Sequence, residues 1–229
     1  MHKLTGGLYS PEFEKDACGF GMIANMDDKP SHWLLDTAIG ALERLTHRGA
    51  VAADGKTGDG CGILMKKPDA FLRTIADEAG IELADHYASG IVFLSQDKDT
   101  AELAKAELVR QLEDGGLTVA GWRDVPIDAE SACGVEAMET LPRLEQIFVN
   151  APADMEAALF EARLVFARRR TENALTNDDT FYVPSLSAHV LSFKGMVMPS
   201  YLTTFYKDLA DDRLETALCV FHQRFSTNT

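Results

Sequence analysis

The sequence predicts one mixed α/β domain, and three observations carry that expectation. The 229 residues are 46% hydrophobic and 25% charged, values of a globular chain long enough to bury a single sizeable core. Short apolar runs of strand character alternate with segments whose apolar residues recur at helical spacing. No internal repeat, linker or low-complexity tract divides the chain.

Residues 1–17 read as an irregular polar leader with Gly6-Gly7 and Pro11. The stretch GFGMIANM follows as a short buried strand, with Phe20, Met22 and Ile23 flanked by small residues. From Trp33 to Leu45, the side chains Leu34, Ala38, Ala41, Leu42 and Leu45 fall at helical spacing, and Ser31 is placed to cap the helix. Residues 46–62 are rich in Gly and Asp and read as loop, leading into a strand at GILMK. A βαβ-like passage comes next. Its strands are GIVFLS (90–95) and LTVAGWRDV (117–125). Its helix, 100–116, carries Leu103, Leu108, Val109 and Leu112 on one face and is closed by Gly115-Gly116. Residues 146–152 are strand-like and 155–170 strongly helical. The alternation over 180–195 predicts a hairpin turning near Pro184, and 199–209 reads as one helix with Pro in its first turn. The last strand lies in TALCVFHQRFSTNT.

The formal net charge of −14 argues against a nucleic-acid or anionic-membrane surface, since phosphate binding needs a cationic face. The one basic cluster, RLVFARRR at 163–170, ends a predicted helix, where it complements the dipole and solvates a face. No apolar run approaches the roughly 20 residues that span a bilayer, and the N-terminus has no secretory apolar core. A reducing, cytoplasmic setting is expected. Cys18, Cys61, Cys133 and Cys219 show neither CxxC nor Cys/His metal spacing, so free thiols are expected.

Three stretches could carry chemistry. In KDACGFGMIAN, Cys18 is either a small core residue or a nucleophile exposed by cleavage before it. In the second case its own α-amine, with an ordinary pKa of about 7.7–8.0, could take the thiol proton. Gly19 and Gly21 would then let a substrate approach the backbone. In THRGAVAADGKTGDGCG, Arg48 either caps a helix end or reaches an anionic or carbonyl group. Asp54 and Asp59 mimic a calcium loop loosely, but the DxDxDG pattern and its closing Glu are absent, and GDGCG is no phosphate-binding loop. In FHQRFSTNT, Arg224 beside Thr227 suits a carboxylate ligand, the guanidinium giving a bidentate fork and the hydroxyl a directed hydrogen bond. The alternative there is an edge-strand arginine followed by a turn.

Taken together, ACGFGMIAN, THRGAVAADGKTGDGCGI and HQRFSTNT resemble the N-terminal domain of the glutamate synthase large (alpha) subunit. That domain is a class II, N-terminal-nucleophile glutamine amidotransferase. FKGMVMPSYLTTFYKDLAD at 193–211 resembles glutamate synthases in particular. The resemblance covers essentially the whole chain. It implies an α+β fold, a four-layer αββα sandwich of two mostly antiparallel sheets between helix layers. It implies a propeptide over 1–17 and an amidotransferase domain over 18–229 that is incomplete at its C-terminal side. Cys18 resembles the nucleophile, Arg224 the arginine that binds the α-carboxylate of glutamine, Thr227 its hydroxyl partner, and Arg48 the arginine of the HRG loop near the nucleophile. No cofactor is implied in this chain; FMN and an iron–sulfur cluster would belong to later domains of the parent enzyme. The implied partners are L-glutamine, the remaining domains of the large subunit and the small (beta) subunit.

The family's oxyanion hole comes from an Asn-Gly pair that this sequence lacks; Asn25 and Asn150 lie in other contexts. Losing one oxyanion donor costs about 10²–10³ in rate, so little glutaminase activity is expected of the chain alone. Cys61 stands where a small residue is expected and reads as a packed substitute. Alternatives are another class II amidotransferase, of the purine, glucosamine-phosphate or asparagine branches, and a non-catalytic binding or regulatory module on the same fold.

Overall fold

Alternation of side chains along strands decides this architecture, because two antiparallel sheets must each hide one face or both. The computed structural model describes residues 19–224. The first sheet has the order β1 (Gly19–Ala24), β7 (Leu218–Gln223), β2 (Thr57–Lys66), β6 (Val190–Val197), every neighbour antiparallel. The second is β3 (Tyr87–Leu94), β5 (Arg143–Asn150), β4 (Thr118–Asp124), again antiparallel.

Odd-numbered residues of the first sheet, including Ile63, Met65, Phe193, Cys219 and Phe221, point into one core. That core is shared with α1 (His32–Glu43), α2 (Asp69–Glu78) and one face of the second sheet through Tyr87, Ile91, Leu144 and Phe148. The opposite face of the second sheet, with Ala88, Val92, Ile147 and Val149, packs on α3 (Lys98–Asp114) and α6 (Ala157–Ala174). Both cores follow from the period of two in β3 and β5, which are apolar on both faces.

Helix α1 starts where the sequence places its cap: the Ser31 hydroxyl accepts from the Leu34 N–H at 3.3 Å, and Leu34, Ala38 and Leu42 are buried. Helix α3 ends at Gly115, with Gly116 at φ +74°, a left-handed stop that glycine makes without a Cβ penalty.

Several expectations are corrected. β1 is an edge strand, and Phe20 and Met22 are 75% and 65% exposed rather than buried. Leu103 is exposed as well, because α3 turns Ala101, Ala104, Leu108 and Leu112 to the sheet and small residues let it lie close. The loop read over 46–62 is strand from Thr57, with an irregular register between Thr57 and Cys61. The expected hairpin at Pro184 is absent; Tyr182 and Ser187 instead bridge singly to Phe93 and Ser89 of β3 before β6 begins. The expected helix over 199–209 is broken into two 3₁₀ turns around α7 (Leu202–Phe205). The break falls at Tyr206, whose extended backbone carries a buried ring and whose hydroxyl donates to the Lys194 carbonyl at 2.6 Å. Helix α2 and the short α4 (Ala129–Ala132) and α5 (Val135–Glu139) join the elements read from sequence. Among the described residues no helix is long and apolar enough to cross a membrane.

Candidate active site

The three motif stretches, far apart in sequence, meet at one end of β1, β7 and β2. In register Gly19 lies opposite Gln223, and Gln223 also lies opposite Cys61. Arg48 closes a 3₁₀ turn (Thr46–Arg48) after α1, and its side chain rests on Gly19: a Cβ there would meet Arg48 Cγ at 3.2 Å. Arg224 follows β7 at φ +78°, a left-handed conformation uncommon outside glycine, and its N–H donates to the Gly60 carbonyl at 2.8 Å. Cys18 and Thr227 lie outside the described residues.

The glycines after Cys18 are closely packed. A Cβ at Gly21 would lie 2.5 Å from Phe221 Cζ, so the Phe221 ring occupies the space that the glycine leaves. Gly49, next to Arg48, is likewise filled from below by the Gln223 side chain. Gln223 is 1% exposed, and its Oε1 has no hydrogen-bond partner among the described residues.

The loop between Arg48 and β2 is held from both sides. Asp59 accepts the Ala50 N–H at 2.9 Å through Oδ2, which also lies 3.9 Å from Arg224 Nε. Asp54 accepts the Thr57 hydroxyl at 2.6 Å and the Lys56 and Thr57 N–H groups, bonds that hold its carboxyl well below the usual carboxylate range. Lys56 donates to the Ser131 carbonyl at 3.2 Å, and the Thr57 hydroxyl accepts the Ala137 N–H at 3.3 Å, tying the turn to α4 and α5. Asp54 thus closes an Asx turn. Among the described residues no group of three or more His, Cys, Asp or Glu is placed to hold a metal.

The other candidates resolve plainly. His222 sits beside Lys194 on the outward face of the sheet, and burial, then the lysine charge, lowers its pKa. His47 is exposed and bonds to the Arg44 carbonyl at 3.0 Å. Cys61 is packed: its Sγ donates to the Val197 carbonyl at 3.3 Å, and burial pushes the thiol up to about 12. Cys133 and Cys219 are buried free thiols. The Asn25 Oδ1 accepts the Asp27 and Lys29 N–H groups in a local turn, and the Asn150 amide is engaged by the distant 82–84 segment, accepting the Ala84 N–H and donating to the Glu82 carbonyl. A cavity of about 400 Å³ between α5 and β6, lined by Leu141, Tyr182, Lys194 and Phe205 among others, does not include Arg48, Asp59 or Arg224.

Sequence reading missed Gln223 and the function of Asp59. A polar residue at a core phase of β7 marks Gln223 in the alternation. Asp59 carries no such mark, because the irregular register before Cys61 decides where it points.

The arrangement brings the Arg48 loop and Arg224 to the end of the strand that follows residue 18. Residues 18–229 match the class II glutamine amidotransferases, and the chain belongs to that family. The chain is 41% identical over 229 residues to the glutamate synthase [NADPH] large chain of Azospirillum brasilense, covering 98% of this chain and 15% of that one. It is 37% identical over 225 residues to the glutamate synthase [NADPH] large chain of Bacillus subtilis, covering 97% and 15%. With the ferredoxin-dependent glutamate synthase 2, chloroplastic, of Arabidopsis thaliana it shares 36% over 221 residues, 94% of this chain and 14% of the relative. The chain thus spans about one seventh of the length of these relatives.

Proposed function

We propose that the chain performs the glutaminase half-reaction of a glutamate synthase. Residues 1–17 are removed, and Cys18 becomes an N-terminal residue whose α-amine accepts the thiol proton. The thiolate adds to the side-chain amide of L-glutamine, ammonia leaves with a proton returned by the amine, and water hydrolyses the γ-glutamyl thioester to glutamate. Arg224 and Thr227 hold the substrate α-carboxylate, and Arg48 braces the backbone beside the nucleophile. The oxyanion donors are supplied from outside residues 1–229.

Ammonia released here would aminate 2-oxoglutarate at a separate site of a larger enzyme, in which FMN and an iron–sulfur cluster belong to other domains and a small subunit completes the assembly. The outward face of the first sheet, where Phe20 and Met22 are exposed, would receive a further sheet, distinct from β3-β5-β4, to complete a four-layer αββα sandwich. The setting is cytoplasmic.

The observation that carries this reading is the convergence of Gly19, Arg48 and Arg224 at one strand end. The test is the intact mass of the full-length gene product beside a Cys18→Ala variant, with glutamate release from L-glutamine measured in both. The wild type is expected to lose residues 1–17 and to hydrolyse glutamine, and the variant to do neither. Retention of the leader in an active wild type would remove the N-terminal-nucleophile mechanism. Correct processing without glutamine turnover would favour a binding module on the same fold.

A further inference from the structure

We propose that Asp59 is a positioning residue that orients Arg224 for the substrate carboxylate and locks it to the Arg48 loop; the inference rests on the amidotransferase reading of Arg224. Three observations converge. First, the register of β2 shifts between Thr57 and Cys61, and Gly60 takes φ +90°. A bulge of this kind turns one side chain out of the alternation and aims it sideways. Here that side chain is Asp59.

Second, Asp59 holds the loop after Arg48 with two bonds. Its Oδ2 accepts the Ala50 N–H at 2.9 Å, and its own N–H donates to the Ala50 carbonyl at 3.3 Å. Third, the next residue, Gly60, accepts the Arg224 N–H at 2.8 Å, while Asp59 Oδ2 faces Arg224 Nε at 3.9 Å. Arg224 is held in a left-handed backbone that a non-glycine residue adopts only when its surroundings enforce it.

The chemistry explains why a carboxylate belongs beside an arginine that must bind another carboxylate. A guanidinium offers separate donor edges, and a bidentate ligand takes only one of them. With Asp59 on the Nε side, the Nη groups stay available as a fork for the substrate, and the side chain, half-exposed here, loses less freedom on binding. Charge alone predicts the reverse, since a nearby anion weakens the attraction for a second one. The sign of the effect therefore separates positioning from simple electrostatics.

The experiment measures dissociation constants of L-glutamine and of 4-aminobutanamide, which is glutamine without its α-carboxylate, on the full-length gene product and on Asp59→Asn. The variant keeps an oxygen to accept the Ala50 N–H but loses the charge facing Arg224. Asp59→Asn is expected to weaken L-glutamine about three- to fivefold and to leave 4-aminobutanamide within about 1.5-fold. Asp59→Glu, which restores the charge, is expected to recover part of the preference for glutamine. Tighter glutamine binding, no change, or an equal loss for both ligands in Asp59→Asn would overturn the positioning function. A wild type that does not prefer glutamine over 4-aminobutanamide would overturn the carboxylate-binding reading of Arg224 itself, and the inference with it. The preference is a ratio, so a smaller folded fraction in a variant cancels from it.

Discussion

Replacing Gly49 by alanine tests whether the Arg48 loop is seated on Gln223. The Gly49 backbone is extended, at φ −114° and ψ 154°, so alanine meets no conformational penalty. A Cβ there would overlap Gln223 Nε2 outright and lie 3.2 Å from its Cδ and 3.4 Å from its Cγ. The Gln223 amide must then retreat by about an ångström into a packed strand, and overpacking of this kind costs about 1–3 kcal/mol. Removing a glycine lowers the entropy of the unfolded chain and returns about 0.4–1 kcal/mol. The net loss of about 1–2 kcal/mol corresponds, for a chain of this size, to a fall in melting temperature of about 2–8 °C. The assay is a thermal melt of wild type, Gly49→Ala, Gln223→Ala and the double variant. With Gln223 shortened the obstacle is gone, so the alanine should be neutral or slightly stabilising in that background. The two changes should couple by about 1–3 kcal/mol. An unchanged melting point in Gly49→Ala, or the same fall in both backgrounds, would refute the reasoning.

Two further predictions concern the frame. Leu108→Ala should cost about 2–5 kcal/mol and Leu103→Ala less than about 0.5 in denaturant unfolding, because Leu108 is fully buried under α6 and the second sheet while Leu103 is 70% exposed. Arg123→Ala should cost about 3–5 kcal/mol in the same assay. It would strand the Asp208 carboxylate, which burial pushes towards the neutral form despite the arginine beside it. It would also leave Gln146 Oε1 without the Arg123 Nε donor at 2.8 Å.

Helices α1, α3 and α6 were readable because a repeat near 3.6 residues, a Ser31 cap and a Gly115-Gly116 stop are local signals. The error at Leu103 has a physical reason. Alanine is as good a contact as leucine where helix and sheet lie close, so a leucine-weighted face points the wrong way. The strand over 57–62 was hidden because Thr, Gly and Asp have turn chemistry, and only pairing with β6 and β7 makes them a strand. Phe20 and Met22 misled because an apolar edge strand and a buried one have the same composition.

The sequence by itself determined the residue types and the order of the candidate site, Cys18, then Arg48, then Arg224, together with a net charge of −14. It also determined the main helices, since caps and periodicity act within a few residues. Only the tertiary structure decided that Arg48 rests on Gly19, that Gln223 fills the space at Gly49, and that Asp59 stands between the two arginine loops. Each of these depends on strand register, and register is fixed by pairing between segments more than a hundred residues apart, with one bulge enough to redirect a side chain.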